Sequence, residues 1–140
     1  MAQPETDRLM GAVQKWAMPS RVQQKRERQT AEDAQWRAVC AAVTKRDASH
    51  CRVCGRRCDP FATAMLARGE HHHLTYRSAG GEDTTSNVVL LCLQCHADEH
   101  AGRIRVEGNG DTGIEVWRRQ EDGTWYLSAR ETAVNVRERD

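Results

Sequence analysis

Two cysteine pairs and a cluster of histidines are the residues in this sequence whose types and spacing could do chemistry. Cys51-Arg-Val-Cys54 and Cys92-Leu-Gln-Cys95 are both C-x2-C, the spacing that lets thiolates wrap a tetrahedral ion. Between Cys54 and Cys92 lie 37 residues, so something folded must sit between the pairs; a plain zinc ribbon needs only ~15–20. Five of the six histidines fall within residues 71–100: His71, His72, His73, His96 and His100. Four thiolates already complete a structural zinc site, so these imidazoles need a separate explanation. His96 and His100 stand four apart, and on a helix both rings project from one face and can chelate one ion.

Composition says why such staples are needed. The 140 residues include one Phe, two Tyr and four Trp, which leaves little bulk for a core, and small cores need reinforcement. Six cysteines could supply disulfides, but only in an oxidising compartment. The N-terminal stretch MAQPETDRLM lacks the basic-then-apolar order of a secretory signal, so metal is the better staple and a soluble, cytoplasmic protein is expected. The longest apolar run, Val88 to Leu93, is far below the ~20 residues of a membrane helix, so no membrane partner is expected.

The elements that position these residues can be read in outline. Residues 1–29 form a basic N-terminal extension with a break near Met18–Ser20, and Arg21, Lys25, Arg26 and Arg28 lie close together in RVQQKRER. That run is either a solvated face or an arm that binds phosphate. From Thr30 to about Arg46 the pattern is helical, with Thr30 as cap and Trp36, Val39, Cys40 and Val43 on one apolar face. Cys40 reads as a thiol of that face with no chemistry. Gly80-Gly81 marks a turn after the His-rich strand. Asp83 or Thr84 then caps a short helix running into the second cysteine knuckle, and residues 96–101 form another helix. Past Gly102, RIRVEG, IEVWRR and GTWYLSAR read as strands of a β-meander, with Trp117, Trp125 and Tyr126 in its core and a charged tail from Asn135 to Asp140. Residues 30–102 and 103–140 are thus the second and third domains expected.

The stretch HHLTYRSAGGEDTTSNVVLLCLQCHADEH resembles the HNH endonuclease signature: a His pair, a Gly-Gly turn, an Asn, then C-x2-C-H-x3-H. The resemblance implies an α+β fold with a ββα-metal core (His-Me finger, treble-clef-like), here with an N-terminal helix and a C-terminal β-meander. It implies a structural zinc on Cys51, Cys54, Cys92 and Cys95. The family keeps six residues between its His pair and Gly-Gly; Leu74 to Ala79 is six, which selects His72-His73 and leaves His71 as an extra strand residue. His73 then matches the general base and Asn87 the central Asn. His72, His96 and His100 match the ligands of one catalytic divalent ion: Mg, Mn, Ni, Co or Zn. Arg77, four residues past the base, is a phosphate clamp or an ordinary surface residue. Cys58 reads as a spare thiol beside the knuckle, and His50 has no assigned role.

The activity implied is hydrolysis of DNA to a 3′-hydroxyl and a 5′-phosphate. The chemistry also makes sense by itself: a neutral imidazole suits proton abstraction from water, and a divalent ion offsets charge on the phosphate. Small proteins of this kind resemble those of bacteriophages and bacterial restriction or packaging systems, which implies a bacterial or phage-infected cytoplasm and a terminase or other recruiting partner. With 21 Lys+Arg against 20 Asp+Glu, global attraction to DNA is small, so modest and salt-sensitive cutting is expected. The alternative is a non-catalytic, zinc-dependent nucleic-acid-binding module. Against it stands the complete set of His72, His73, Asn87, His96 and His100.

Overall fold

A computed structural model describes residues 18–132. The expected tail from Asn135 to Asp140, and the extension before Met18, lie outside the described residues. The chain divides into two compact units, Met1–Ala34 and Gln35–Asp140. Among the described residues no helix is long and apolar enough to cross a membrane.

Helix α1 (Arg21–Arg46) begins directly after the expected break at Met18–Ser20. Ser20 and Gln23 form its capping box. The Gln23 N–H donates to Ser20 Oγ at 3.3 Å, and the Ser20 N–H donates to Gln23 Oε1 at 2.8 Å. The expected start at Thr30 is therefore corrected. Thr30 lies inside the helix and its hydroxyl donates to the Arg26 carbonyl at 2.9 Å, because a stronger cap upstream has already satisfied the free N–H groups. Arg21, Lys25 and Arg28 recur at helical spacing and share one exposed face.

In the second unit, α1 presents Trp36, Val39 and Val43 to the core, with Val43 fully buried. Strand β1 (Gly69–His73) pairs antiparallel with β2 (Val88–Cys92), setting His72 opposite Val89 and His73 opposite Val88. Helix α2 (Leu93–His100) follows at once, completing a ββα unit within an α+β fold. The meander follows, with β3 (Ile104–Asn109), β4 (Gly113–Arg119) and β5 (Trp125–Thr132) antiparallel in the order β3-β4-β5.

Two expectations about this unit are corrected. No helix runs into the second knuckle: a single 3-10 turn (Thr85–Asn87) leads into β2. Val-Val-Leu-Leu is buried at every position, as a strand covered on both faces must be, and an unbroken apolar run of that length cannot be told from a helix by periodicity. Helix α2 also starts earlier than expected, inside the knuckle. Cys92 is its N-cap, with Sγ accepting from the Cys95 N–H at 3.5 Å. In the meander the buried apolar residues are Ile104, Val106, Ile114 and Val116, and not the aromatic group. Trp117 follows a register shift after Val116 and is only half-buried, with its indole nitrogen covered, and Tyr126 is 45% exposed.

A buried ionic network with no clear sequence signal ties the meander to the ββα unit. Asp47, at the end of α1, accepts from Arg46 Nε at 2.7 Å, Arg52 Nη1 at 2.9 Å and the Leu90 N–H at 2.9 Å. Arg52 also donates to Glu131 Oε2 at 2.7 Å and to the Gly110 carbonyl at 2.9 Å. One guanidinium thus bridges α1, β5 and the β3–β4 turn. Removing a single partner would strand a buried charge.

The turn after β1 depends on its two glycines in different ways. Gly80 is left-handed (φ 85°) and closes the 3-10 turn Arg77–Ala79. Gly81 is tight: a Cβ there would lie 1.7 Å from the Thr75 carbonyl oxygen, with its N–H donating to the Tyr76 carbonyl at 2.9 Å. Gly80→Ala has open space and is expected to cost about 1–2 kcal/mol of left-handed strain. Gly81→Ala must push backbone apart and is expected to cost more, about 3 kcal/mol or above. Thermal denaturation of the two variants side by side checks the order; an equal loss would mean that only conformational strain matters here.

Candidate active site

The two knuckles bring sulfur together. Cys51, Cys54, Cys92 and Cys95 place their Sγ atoms within 4.8 Å of one another, an arrangement that could hold a metal ion. Three are buried and Cys54 is exposed. The first knuckle closes through the Gly55 N–H donating to the Cys51 carbonyl at 2.9 Å, with Gly55 at φ 73°. The Cys51 thiol is pulled down to about 5 by its hydrogen bond with Cys95, helped by backbone groups of Cys54, Cys92 and Val53. The same hydrogen bond pushes the Cys95 thiol up, so the pair keeps one proton, and a metal ion would take its place by binding the thiolate form. Cys58 is buried nearby but stands outside the four, and burial pushes its thiol up to about 12.

A second cluster is built from nitrogen. His72 from β1 and His96 and His100 from α2 bring one ring nitrogen each within 4.8 Å of the others, and His96 Nε2 and His100 Nε2 are 3.1 Å apart. Period-2 alternation turns His72 inward, while the i, i+4 spacing puts His96 and His100 on one face of α2. His72 is 2% exposed and its Nε2 is buried without a hydrogen-bond partner. Burial first, then the neighbouring imidazoles of His96, His100 and His73, press its pKa down to about 4. It is therefore neutral and keeps a lone pair. An orphaned buried lone pair among two more imidazoles fits a divalent cation, and three imidazole nitrogen donors suit a borderline metal. The nearest carboxylate is Glu99, whose Oε2 lies 3.6 Å from His72 Nε2 and which accepts from the Tyr76 hydroxyl; the Tyr76 ring stacks on His100.

His73 does not join this cluster. Its ring stacks on Trp36 of α1 at 4.9 Å and 14°, and its Nε2 is 2.8 Å from Asp83 Oδ1. His71 also turns to α1, with its Nε2 near Thr44 Oγ1 at 2.9 Å and the Cys40 carbonyl at 3.0 Å. Asn87 clamps the segment after β1: its Oδ1 accepts from the Thr75 N–H at 2.8 Å, and its Nδ2 donates to the Thr75 carbonyl at 3.0 Å and the Glu82 carbonyl at 2.9 Å. Arg77 is pinned, with Nε and Nη2 each 2.8 Å from an Asp83 oxygen and the guanidinium 4.6 Å over the Trp36 ring, yet its side chain is still 55% exposed. Arg28 lies 3.7 Å from Glu32 on the exposed surface of α1. His50 Nδ1 is 2.6 Å from the Ala48 carbonyl.

Sequence reasoning missed what surrounds His73. Asp83 reads as a helix cap and Trp36 as plain core, yet both touch that imidazole. The signal available was Arg77 and Asp83 facing each other across Gly-Gly, a spacing that only a tight turn converts into contact. Tyr76 and Glu99, which flank the nitrogen cluster, carried no signal.

Residues 51–102 match the model of the HNH endonuclease family. Over 62 residues it is 34% identical to the type IV methyl-directed restriction enzyme EcoKMcrA of Escherichia coli (strain K12). That overlap is 44% of this chain and 22% of the enzyme, so the chain spans about a fifth of its relative. No solved structure matches the chain.

Proposed function

We propose that this protein is a metal-dependent endonuclease that hydrolyses DNA phosphodiester bonds, with His73 as general base and one divalent ion on His72, His96 and His100. The observation that carries this reading is the buried, unpartnered Nε2 of His72 meeting two further imidazole nitrogens. The match to the HNH endonuclease family and the similarity to a restriction enzyme support it. A divalent ion held by His72, His96 and His100 would supply a Lewis acid to offset charge on the scissile phosphate and the leaving oxygen.

The chain's own groups do the rest. His73 accepts a proton from water as the water oxygen bonds to phosphorus; the P–O3′ bond breaks, and the leaving oxygen takes a proton from solvent. Asn87 holds the loop that carries the base, and the four thiolates would hold a structural zinc between the two knuckles. Arg77, together with Arg21, Lys25, Arg26 and Arg28 on α1, supplies phosphate contacts.

Supercoiled plasmid incubated with the intact protein and Mg, Mn, Ni, Co or Zn in turn is the test. Nicked or linear product is expected with at least one ion. His73→Ala is expected to slow cutting by about 10²–10⁴-fold with zinc content and circular dichroism unchanged. If no ion yields product while one zinc per chain is retained, the protein is a non-catalytic nucleic-acid-binding module.

A further inference from the structure

The imidazole of His73 has two nitrogens, and stacking on Trp36 does not distinguish them. A half-turn of the ring about Cβ–Cγ keeps its plane, and so keeps the 4.9 Å stack, while exchanging the positions of the nitrogens and carbons. Something else must select the orientation. The carboxylate of Asp83 meets Nε2 at 2.8 Å and is itself gripped by the Arg77 fork at 2.8 Å on both oxygens. We propose that Asp83 is a positioning residue that fixes both the ring orientation and the tautomer of His73. The proposal rests on His73 being the base of the proposed reaction.

The chemistry of the contact sets the tautomer. An ionised carboxylate can only accept, so the proton between the two residues belongs to Nε2. The Arg77 guanidinium, and then His73 itself, hold the Asp83 carboxyl below the usual carboxylate range, which keeps it in that accepting form. Nδ1 is left as the nitrogen with the free lone pair, the one able to take a proton from water. A wrong tautomer would present an N–H to the water and do nothing.

Asp83 is in turn held by the same residue that clamps the strand end. Asn87 Nδ2 donates to the Glu82 carbonyl and to the Thr75 carbonyl, so one side chain sets the distance between the two segments that carry Asp83 and His73. Gln35 Nε2 reaches the Asp83 carbonyl at 3.4 Å from α1. Asn87, Asp83 and His73 thus form a relay of position: the amide fixes the loop, the loop aims the carboxylate, and the carboxylate aims the ring. Arg77 takes part by holding the carboxylate from the other side and by closing over the face of Trp36.

The test combines tautomer and kinetics. In zinc-loaded protein at pH 8.5, nitrogen-15 NMR of the His73 ring is expected to show the Nε2–H form alone. Asp83→Ala is expected to show a mixture of tautomers, with amide spectra elsewhere unchanged. With plasmid and the active ion, kcat of Asp83→Ala is expected to fall about 10²–10³-fold at nearly unchanged KM, and Asp83→Glu to recover part of it. Asp83→Asn keeps the shape of the side chain and guards against misfolding, but its amide can donate as well as accept, so it is expected to behave like the alanine variant. A native His73 in the Nδ1–H form, or an Asp83→Ala spectrum with a single unchanged tautomer, overturns the proposal. So does a tautomer mixture with full kcat. Should the native protein cut nothing with any ion, the nuclease reading fails, and the spectrum alone then decides whether Asp83 orients the ring.

Discussion

Replacing Cys51 or Cys95 with Ser is expected to abolish the cooperative thermal transition of the second unit, and stripping the protein with a strong chelator should do the same. The reason is the size of the core. The ββα unit rests on a two-stranded sheet, an eight-residue helix and a buried run of Val88, Val89, Leu90 and Leu91. A lone hairpin is marginal in water, and a small core supplies only a few kcal/mol. A structural zinc on thiolates contributes about 10–16 kcal/mol in apparent terms, as much as the whole stability of an ordinary domain. Removing one of four sulfurs therefore removes more than the rest of the unit can offset. Cys58→Ala is the control: Cys58 lies outside the four-sulfur group, so the variant should still bind one zinc per chain and lose only about 1–2 kcal/mol for the vacated volume. Metal content by elemental analysis, read beside the melting curve, decides. A folded Cys51→Ser protein with no zinc would show that the sulfurs are not the staple.

Much of this arrangement was legible because the residues concerned carry chemistry with strict spacing. Two C-x2-C pairs announce a sulfur site whatever lies between them, and H-x3-H on a helix fixes two imidazoles on one face. The meander strands were legible from alternation and turn residues. What escaped was decided by packing. Val88–Cys92 looks the same as a strand or as a buried helix segment until β1 is known to lie beside it. Thr30 also carries a cap pattern, and only the capped helix start at Ser20 reveals which one begins the helix.

The site shows the same division. Its three clustered imidazoles come from a residue type that rarely gathers by accident, so the convergence of His72, His96 and His100 could be expected from sequence. The partners that tune them are common residues whose roles come only from contact. Asp83 and Arg77 are six apart and meet across a turn that needs Gly81 to approach Thr75; Trp36 arrives from a helix far away in sequence. Asp47 and Arg52 look like ordinary surface charges, yet both are buried and join α1 to β5.

His72→Leu is expected to raise the melting temperature of zinc-loaded protein in the absence of a second ion, and to abolish cutting. The orphaned Nε2 is the cause. A buried polar atom without a partner costs about 1–3 kcal/mol, and His72 carries one at 2% exposure, among the rings of Tyr76, His96 and His100. Leucine fills a similar volume with nothing to satisfy. For a domain of this size 1 kcal/mol shifts the transition by about 4–8 °C, so the gain is measurable. Adding the second ion should reverse the order. At 100 times its dissociation constant an ion that binds only the folded state contributes about 2.7 kcal/mol to the native protein, and almost nothing to the variant that has lost a ligand. The same side chain is thus a defect without its ion and a gain with it, which is the trade expected where function and not stability keeps a polar group buried. Two melting curves per protein, with and without added Mn or Zn, settle the matter. A His72→Leu protein that melts lower than native in both conditions would mean that the imidazole is satisfied by the chain itself, and the nitrogen cluster would lose its claim to an ion.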